Sequence, residues 1–283
     1  MLLAVGMLLT RLVAAPTGAG IRPVMAAATG GGLFVATATA LHLRSPDGSD
    51  RVVGALPATD PLSLAALNQT LVLGSGPGLH ISHDGGRSWR AAAGVAGRRF
   101  LAVAAAPGML AAAAWGDRLW VSRDGGGTWS AALLPPGDTE VESLSLGAGV
   151  SMAATLLGVL ASTDSGATWR HVPGTGDRMT AVSQSSGGTY AAGWRGDVYR
   201  YSAGVFTPLR VLGAAVWQVI GDAPLAATTT GLFDGAASVP GPLAGREVTG
   251  LASSAGWDYA LVAGGRLYTR PRGLTTWVDL GQV

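Results

Sequence analysis

Apolar residues come in short runs along this chain, and each run ends at a glycine- or aspartate-rich turn. The stretch from 100 to 134 shows the pattern: FLAVAAA, MLAAAAW, RLWVS and TWSAALL follow one another, separated by PG, GD and RDGGG. Runs of this length, bounded by turn residues, predict strands. No segment keeps an apolar stripe at a period of 3.6 residues, so the expectation is a chain almost without helix.

The turns repeat. SHDGGRSW begins at Ser82, SRDGGGTW at Ser122 and STDSGATW at Ser162, each 40 residues after the last. All three fit S-x-D-x-G-x-[ST]-W. A fixed period of this size is the sequence sign of a repeat architecture. Each motif lies between two strand-like runs and reads as a hairpin turn. Asp84, Asp124 and Asp164 are placed to accept hydrogen bonds from backbone N–H groups of their own turns. Gly86, Gly126 and Gly166 supply a positive φ. Trp89, Trp129 and Trp169 are expected to enter the next strand and bury apolar area. These residues read as a folding device, with no chemistry of their own.

The register extends outward with decay, through SPDGSDRV at Ser45, SAGVFTPL at Ser202, GLFDGAAS at Gly231 and TRPRGLTTW at Thr269. That gives seven units, roughly 21–56, 57–97, 98–138, 139–176, 177–212, 213–244 and 245–283. Four strands per unit predicts an all-β fold, a single β-propeller of seven four-stranded blades, with six or eight left open. The alanine-rich first strands suit a crowded inner ring.

The motif is that of the Asp-box, or BNR repeat, and the chain resembles the Asp-box propellers. Among these it is similar to the photosystem II stability and assembly factor-like family, within the sialidase-like superfamily, over nearly its whole length. That resemblance implies a non-enzymatic scaffold that docks on partner polypeptides. It also implies that binding residues lie on the face opposite the motif turns.

Residues 1–20 stand outside the repeat. Met1 to Ala15 is apolar and reads as a secretory signal or anchor, as strand material from a partial repeat, or as a misassigned start. The first reading would favour an extracytoplasmic or membrane-associated location. No run is long enough for a membrane span. Residues 21–283 form the propeller in this reading, most simply as a monomer.

Composition narrows the chemistry. The 283 residues include 44 glycines and no cysteine, which excludes disulfides, thiolate metal sites and cysteine nucleophiles. Every one of the 19 basic residues is arginine, and the net charge is only +2. With no arginine-rich run, nucleic acid is not an expected partner. His80 and His83 point to opposite faces of a strand, so no metal site is expected, and no cofactor is implied.

Two sets of residues on the face opposite the motifs are candidates for binding. Arg22, Arg99, Arg178 and Arg246 each precede the first strand of a unit, in IRPVMAAA, RRFLAVAA, DRMTAVSQ and REVTGLAS. Together they would form a positive ring that attracts an acidic peptide. The alternative is local pairing, with Glu247 and Asp177 as partners. The second set lies in WGDR and WRGD, equivalent turns two units apart: Trp115, Asp117, Trp194, Arg195 and Asp197. A tryptophan beside charge can anchor a protein or stack on a sugar. An enzymatic reading needs more. A sialidase uses three arginines and a Tyr–Glu pair, whereas this chain has three glutamates and its tyrosines are confined to residues 190–268. Paired carboxylates among Asp117, Asp138, Asp177 and Asp197 would support a glycoside hydrolase. The expectation is therefore a non-catalytic scaffold binding a protein or peptide, with a glycan-binding or glycosidase propeller as the alternative.

Overall fold

The computed structural model describes residues 24–27, 32–58, 60–221 and 224–283. Met1–Ala15 and Arg22 lie outside the described residues. The described chain folds into seven four-stranded antiparallel sheets, spanning 24–55, 61–91, 100–131, 141–172, 179–211, 216–238 and 248–282. Each sheet is built from four consecutive strands, and none borrows a strand from elsewhere in the chain. No helix occurs among the described residues. The first strands of neighbouring sheets pack side by side around the axis, and that of blade 7 meets that of blade 1. This is a seven-bladed β-propeller.

Burial follows from the radial order of the strands. Second strands such as Met109–Ala114 and Ser151–Thr155 are buried along their whole length, because a blade lies against each face. They therefore read as continuous apolar runs without alternation. First strands, as in Phe100–Ala106, are less completely buried; Val103 and Ala105 pack toward blade 2 and Ala102 toward blade 4. The tightest alanine packing thus falls on the second strand and not on the innermost one. Outer strands are short in the motif-bearing blades: Arg90–Ala91, Ser130–Ala131 and Arg170–Val172. The motif tryptophans precede these strands instead of entering them.

Seven apolar clusters hold the blades together, one at each interface among the described residues. The cluster that closes the ring joins Leu33 and Val35 of blade 1 to Tyr259, Leu261 and Leu267 of blade 7. The motif tryptophans belong to this system. Trp89 packs with Phe34 and Leu41 of the preceding blade, and Trp129 with Val72 and Ile81. Trp169 is 3% exposed beside Met109 and Val121.

The rest of the motif closes the turn. Ser82 Oγ donates to Asp84 Oδ1 at 2.8 Å and accepts the Gly86 N–H at 2.8 Å. Asp84 in turn accepts the Ser88 N–H at 2.9 Å and the Ser88 hydroxyl at 2.6 Å. The same bonds recur around Asp124 and Asp164, with Thr128 and Thr168 as donors. Gly86 is needed twice over. Its φ is +91°, and a Cβ there would come within 2.1 Å of Leu41 Cδ2 on the preceding blade.

Blade 7 has lost the motif aspartate and closes its turn differently. Arg270 is buried, with its guanidinium 5.0 Å from the Trp277 ring centroid. It bonds Asp258 at 3.3 Å and reaches Asp234 of blade 6 at 3.0 Å. An ion pair replaces the glycine contact as the polar link between these neighbouring blades.

The inner strands are sheet edges, and unpaired edge groups need cover. Polar side chains supply it from the preceding blade. Ser63 Oγ donates to the Phe100 carbonyl at 3.2 Å, and Gln218 Oε1 accepts the Leu251 N–H at 2.7 Å. Ser145 Oγ accepts the Gln184 N–H at 3.1 Å.

Two predictions follow from these contacts. Gly86→Ala should cost about 2–4 kcal/mol in urea unfolding, from backbone strain plus overpacking. Gly94→Ala, with φ +76° but open space around it, should cost about 1–2 kcal/mol. Equal losses would mean that the Leu41 contact is unimportant. The second concerns acid. Hydrogen bonds from Ser88, Thr128 and Thr168 hold the carboxyls of Asp84, Asp124 and Asp164 well below their usual value of 3.8. Carboxyls depressed in the folded state stabilise it above their unfolded pKa, and that stabilisation is withdrawn as pH falls through the folded value. The triple Asp→Asn variant should therefore be less stable than the parent at neutral pH. The gap should narrow below about pH 4; a constant gap down to acid pH contradicts this linkage.

Candidate functional site

The motif turns and the turns between first and second strands share one face. Gly85 of the motif donates its N–H to Gln69, in the first such turn of blade 2, at 2.9 Å. The connections between blades lie on the opposite face, together with the turns between second and third strands. On blades 3, 5, 6 and 7 this connector face shares one repeated backbone bond. The first N–H after the second strand donates to the carbonyl of the residue that precedes the first strand. Trp115 bonds Arg99 in this way at 2.8 Å and Trp194 bonds Arg178 at 3.0 Å. Thr229 bonds Ala215 at 3.1 Å and Ala263 bonds Glu247 at 2.9 Å. WGDR and WRGD are thus equivalent turns on blades 3 and 5.

The same bond corrects the arginine alignment. Glu247, not Arg246, occupies the position held by Arg99 and Arg178. Arg246 sits one residue earlier, where its Nη1 donates to Tyr268 Oη at 2.8 Å. From blade 2 to blade 7 the equivalent residues are Asp60, Arg99, Glu140, Arg178, Ala215 and Glu247, each immediately before its first strand. The described part of the ring is therefore of mixed sign, with acid and base alternating over blades 2 to 5. Counting back one residue from each apolar strand start would have found Asp60 and Glu140; matching arginine to arginine hid them.

Immediately inside these positions the ladders of blades 2 to 7 slip by one residue, at Leu62, Leu101, Glu142, Thr180, Trp217 and Thr249. Such a bulge bends the strand and re-aims nearby side chains. It brings Trp217 of blade 6 against Trp194 of blade 5, edge to face, with centroids 5.1 Å apart.

The remaining candidates divide by what they touch. Asp117 pairs with Arg98 at 2.6 Å and lies 3.8 Å from Arg118. Arg98 also covers the Trp120 ring at 4.8 Å. Asp177 pairs with Arg195 at 3.5 Å rather than with Arg178. Asp138 is buried; it accepts the Thr155 hydroxyl at 2.7 Å and lies 2.9 Å from His171 Nε2. Asp197 opens the third strand of blade 5. Local pairing thus accounts for Asp117, Asp138 and Asp177, and it leaves Arg99 and Arg178 untouched. Among the described residues neither of those two guanidinium groups has a carboxylate within ion-pair distance. The Arg99 guanidinium lies 5.9 Å from the Trp115 ring centroid, and Trp115 is 42% exposed.

Blade 4 lies between these two Arg–Trp pairs. There Leu156 takes the tryptophan's position, and the exposed Leu157 follows it. A hollow of about 310 Å³ opens beside them, lined by Glu140, Asp138, Asp177 and Arg178 as well. Burial, then the nearby Glu142, pushes the Glu140 carboxyl above its usual range. Bulky apolar residues begin the turn only on blades 3, 4 and 5; the equivalent residues on blades 2, 6 and 7 are Gly76, Thr229 and Ala263. Among the described residues no group of acidic and histidine side chains is arranged to hold a metal.

Arg178 carries strain. Its φ is +56°, and its N–H donates to the Leu156 carbonyl at 2.7 Å. Side-chain-bearing residues adopt this conformation at a cost, one that Asn68, Ser165, Ala203 and Ala255 also bear in turns of this chain.

No protein-family profile matches the chain, and no curated protein sequence matches it. Solved structures do. YCF48 from Cyanidioschyzon merolae superposes with a TM-score of 0.56 at 18% identity, over 76% of this chain and 83% of that one. YCF48 bound to D1 peptide gives 0.56 at 19%, over 75% and 77%. An ancestral GH74 enzyme gives 0.70 at 16%, over 94% of this chain; the match spans 47% of the enzyme's length. At such identities the likeness is one of fold.

The strained arginine yields a test. Arg178→Gly should be more stable than Arg178→Ala by about 1 kcal/mol, since only glycine relieves the positive φ. Equal unfolding midpoints would show that the backbone there is unstrained.

Proposed function

We propose that this protein is a non-catalytic Asp-box propeller that binds a polypeptide partner across the connector face of blades 3 to 5. The observation that carries this is the coincidence of two unpaired guanidinium groups, Arg99 and Arg178, with the arc of bulky apolar residues Trp115, Leu156, Leu157 and Trp194. Of the two tryptophans Trp115 is exposed and Trp194 half-buried, and an exposed tryptophan beside arginine is a typical anchor of protein interfaces. The fold shared with YCF48, solved with a bound D1 peptide, supports the same reading, and an assembly role is consistent with it. A glycoside hydrolase, as the GH74 likeness suggests, has less support. Asp117 and Asp177 are held by arginines, and Asp138 is buried under Thr155 and His171.

The reading is tested by placing a photo-crosslinking residue at Leu157, and separately at Arg123 in a motif turn, in the native cell. A polypeptide adduct should form from position 157 only, and Trp115→Ala with Arg99→Ala should abolish it. Adducts from position 123 alone, or binding of glycans but no polypeptide, would overturn the proposal.

A further inference from the structure

Three neighbouring charges on the connector face remain unsatisfied. Arg99, Glu140 and Arg178 occupy equivalent positions on blades 3, 4 and 5, immediately before their first strands. Opposite charges set side by side normally pair. Here Glu140 and Arg178 even line the same hollow, yet among the described residues none of the three forms an ion pair. The neighbouring carboxylates are committed elsewhere: Asp117 to Arg98, Asp177 to Arg195, and Asp138 to Thr155 and His171. Glu140 is half-buried without a cation, and its carboxyl is pushed upward by that burial. Arg270 and Arg266, by contrast, pair with carboxylates. Their equivalent places before the first strands set the order in which the three charges follow one another.

Resting on the partner-binding reading above, we infer that the arc accepts an extended segment of mirrored charge, with a lysine or arginine between two acidic residues. The acidic residues meet Arg99 and Arg178. The stem of the basic residue lies on Leu156 and Leu157, and its charged head reaches Glu140. Long cationic side chains bury their stems on apolar surface while the head stays at a polar site. Guanidinium groups suit carboxylates, which they bind with two parallel hydrogen bonds. Fixed charges of alternating sign also reject a uniformly acidic or uniformly basic segment, since each would meet a like charge. The partner class is thus narrower than an acidic peptide.

The test uses the full chain and a displayed library of random linear peptides. Selected peptides should share an acid–base–acid order, and Trp115→Ala should abolish their binding. Arg99→Glu with Arg178→Glu should weaken them at least about tenfold. Glu140→Arg should do the same, and reselection on it should favour an acidic central residue. Peptides that need Trp115 but show no such order, or that ignore Glu140→Arg, would overturn this inference and leave the face assignment standing. Peptides indifferent to Trp115, Arg99 and Arg178 alike would overturn both. Circular dichroism and unfolding midpoints of each variant separate lost binding from lost fold.

Discussion

A four-stranded sheet has two apolar faces and cannot cover either one itself. In this chain each face is covered by the next blade, so the seams between blades carry the core. This is why the second strands are apolar throughout and why seven separate clusters replace one central core. Apolar area buried at each seam is the main stabilising term. The S-x-D-x-G-x-[ST]-W turn serves the same seam. Its aspartate shapes the loop, its glycine permits contact with the preceding blade, and its tryptophan fills what remains. Where the motif is missing, Arg270 and its carboxylates give blade 7 another link to its neighbour.

Dependence on the seams divides the molecule's surfaces. The motif face is occupied by turns whose polar groups are already bonded to one another. The connector face carries charges and aromatics, Arg99, Arg178 and Trp115 among them, that are not part of the seam clusters. A backbone bond shared by blades 3, 5, 6 and 7 still sets where theirs stand. Equivalent positions around the axis can therefore carry opposite charges in a fixed order. On blades 3 to 5 that order coincides with the bulky residues of the turns, and with the strained Arg178.

Much of the fold was legible in the sequence because it depends on spacing. The 40-residue period, the turn motif and the lack of a helical stripe lead to a propeller of about seven blades, and the structure sets the number at seven. The candidate site was legible only in part. Trp115 and Trp194 stand out because their turns match. Arg246 was misplaced because arginine was matched to arginine, while the register is set by a backbone bond to Glu247. Glu140 and Asp60 were missed for the same reason. The bulge that aims Trp217 at Trp194 has no residue signature, since leucine, glutamate, threonine and tryptophan all occupy it.

The central claim is that the connector face of blades 3 to 5 is where a partner docks. Amide hydrogen exchange of the full chain, with and without a peptide selected on it, addresses that claim directly. Protection should concentrate in residues 115–118, 156–157 and 194–196, with the motif turns at 82–89, 122–129 and 162–169 unchanged. Protection centred on the motif turns or on the outer strands, with the connector turns unaffected, would contradict it.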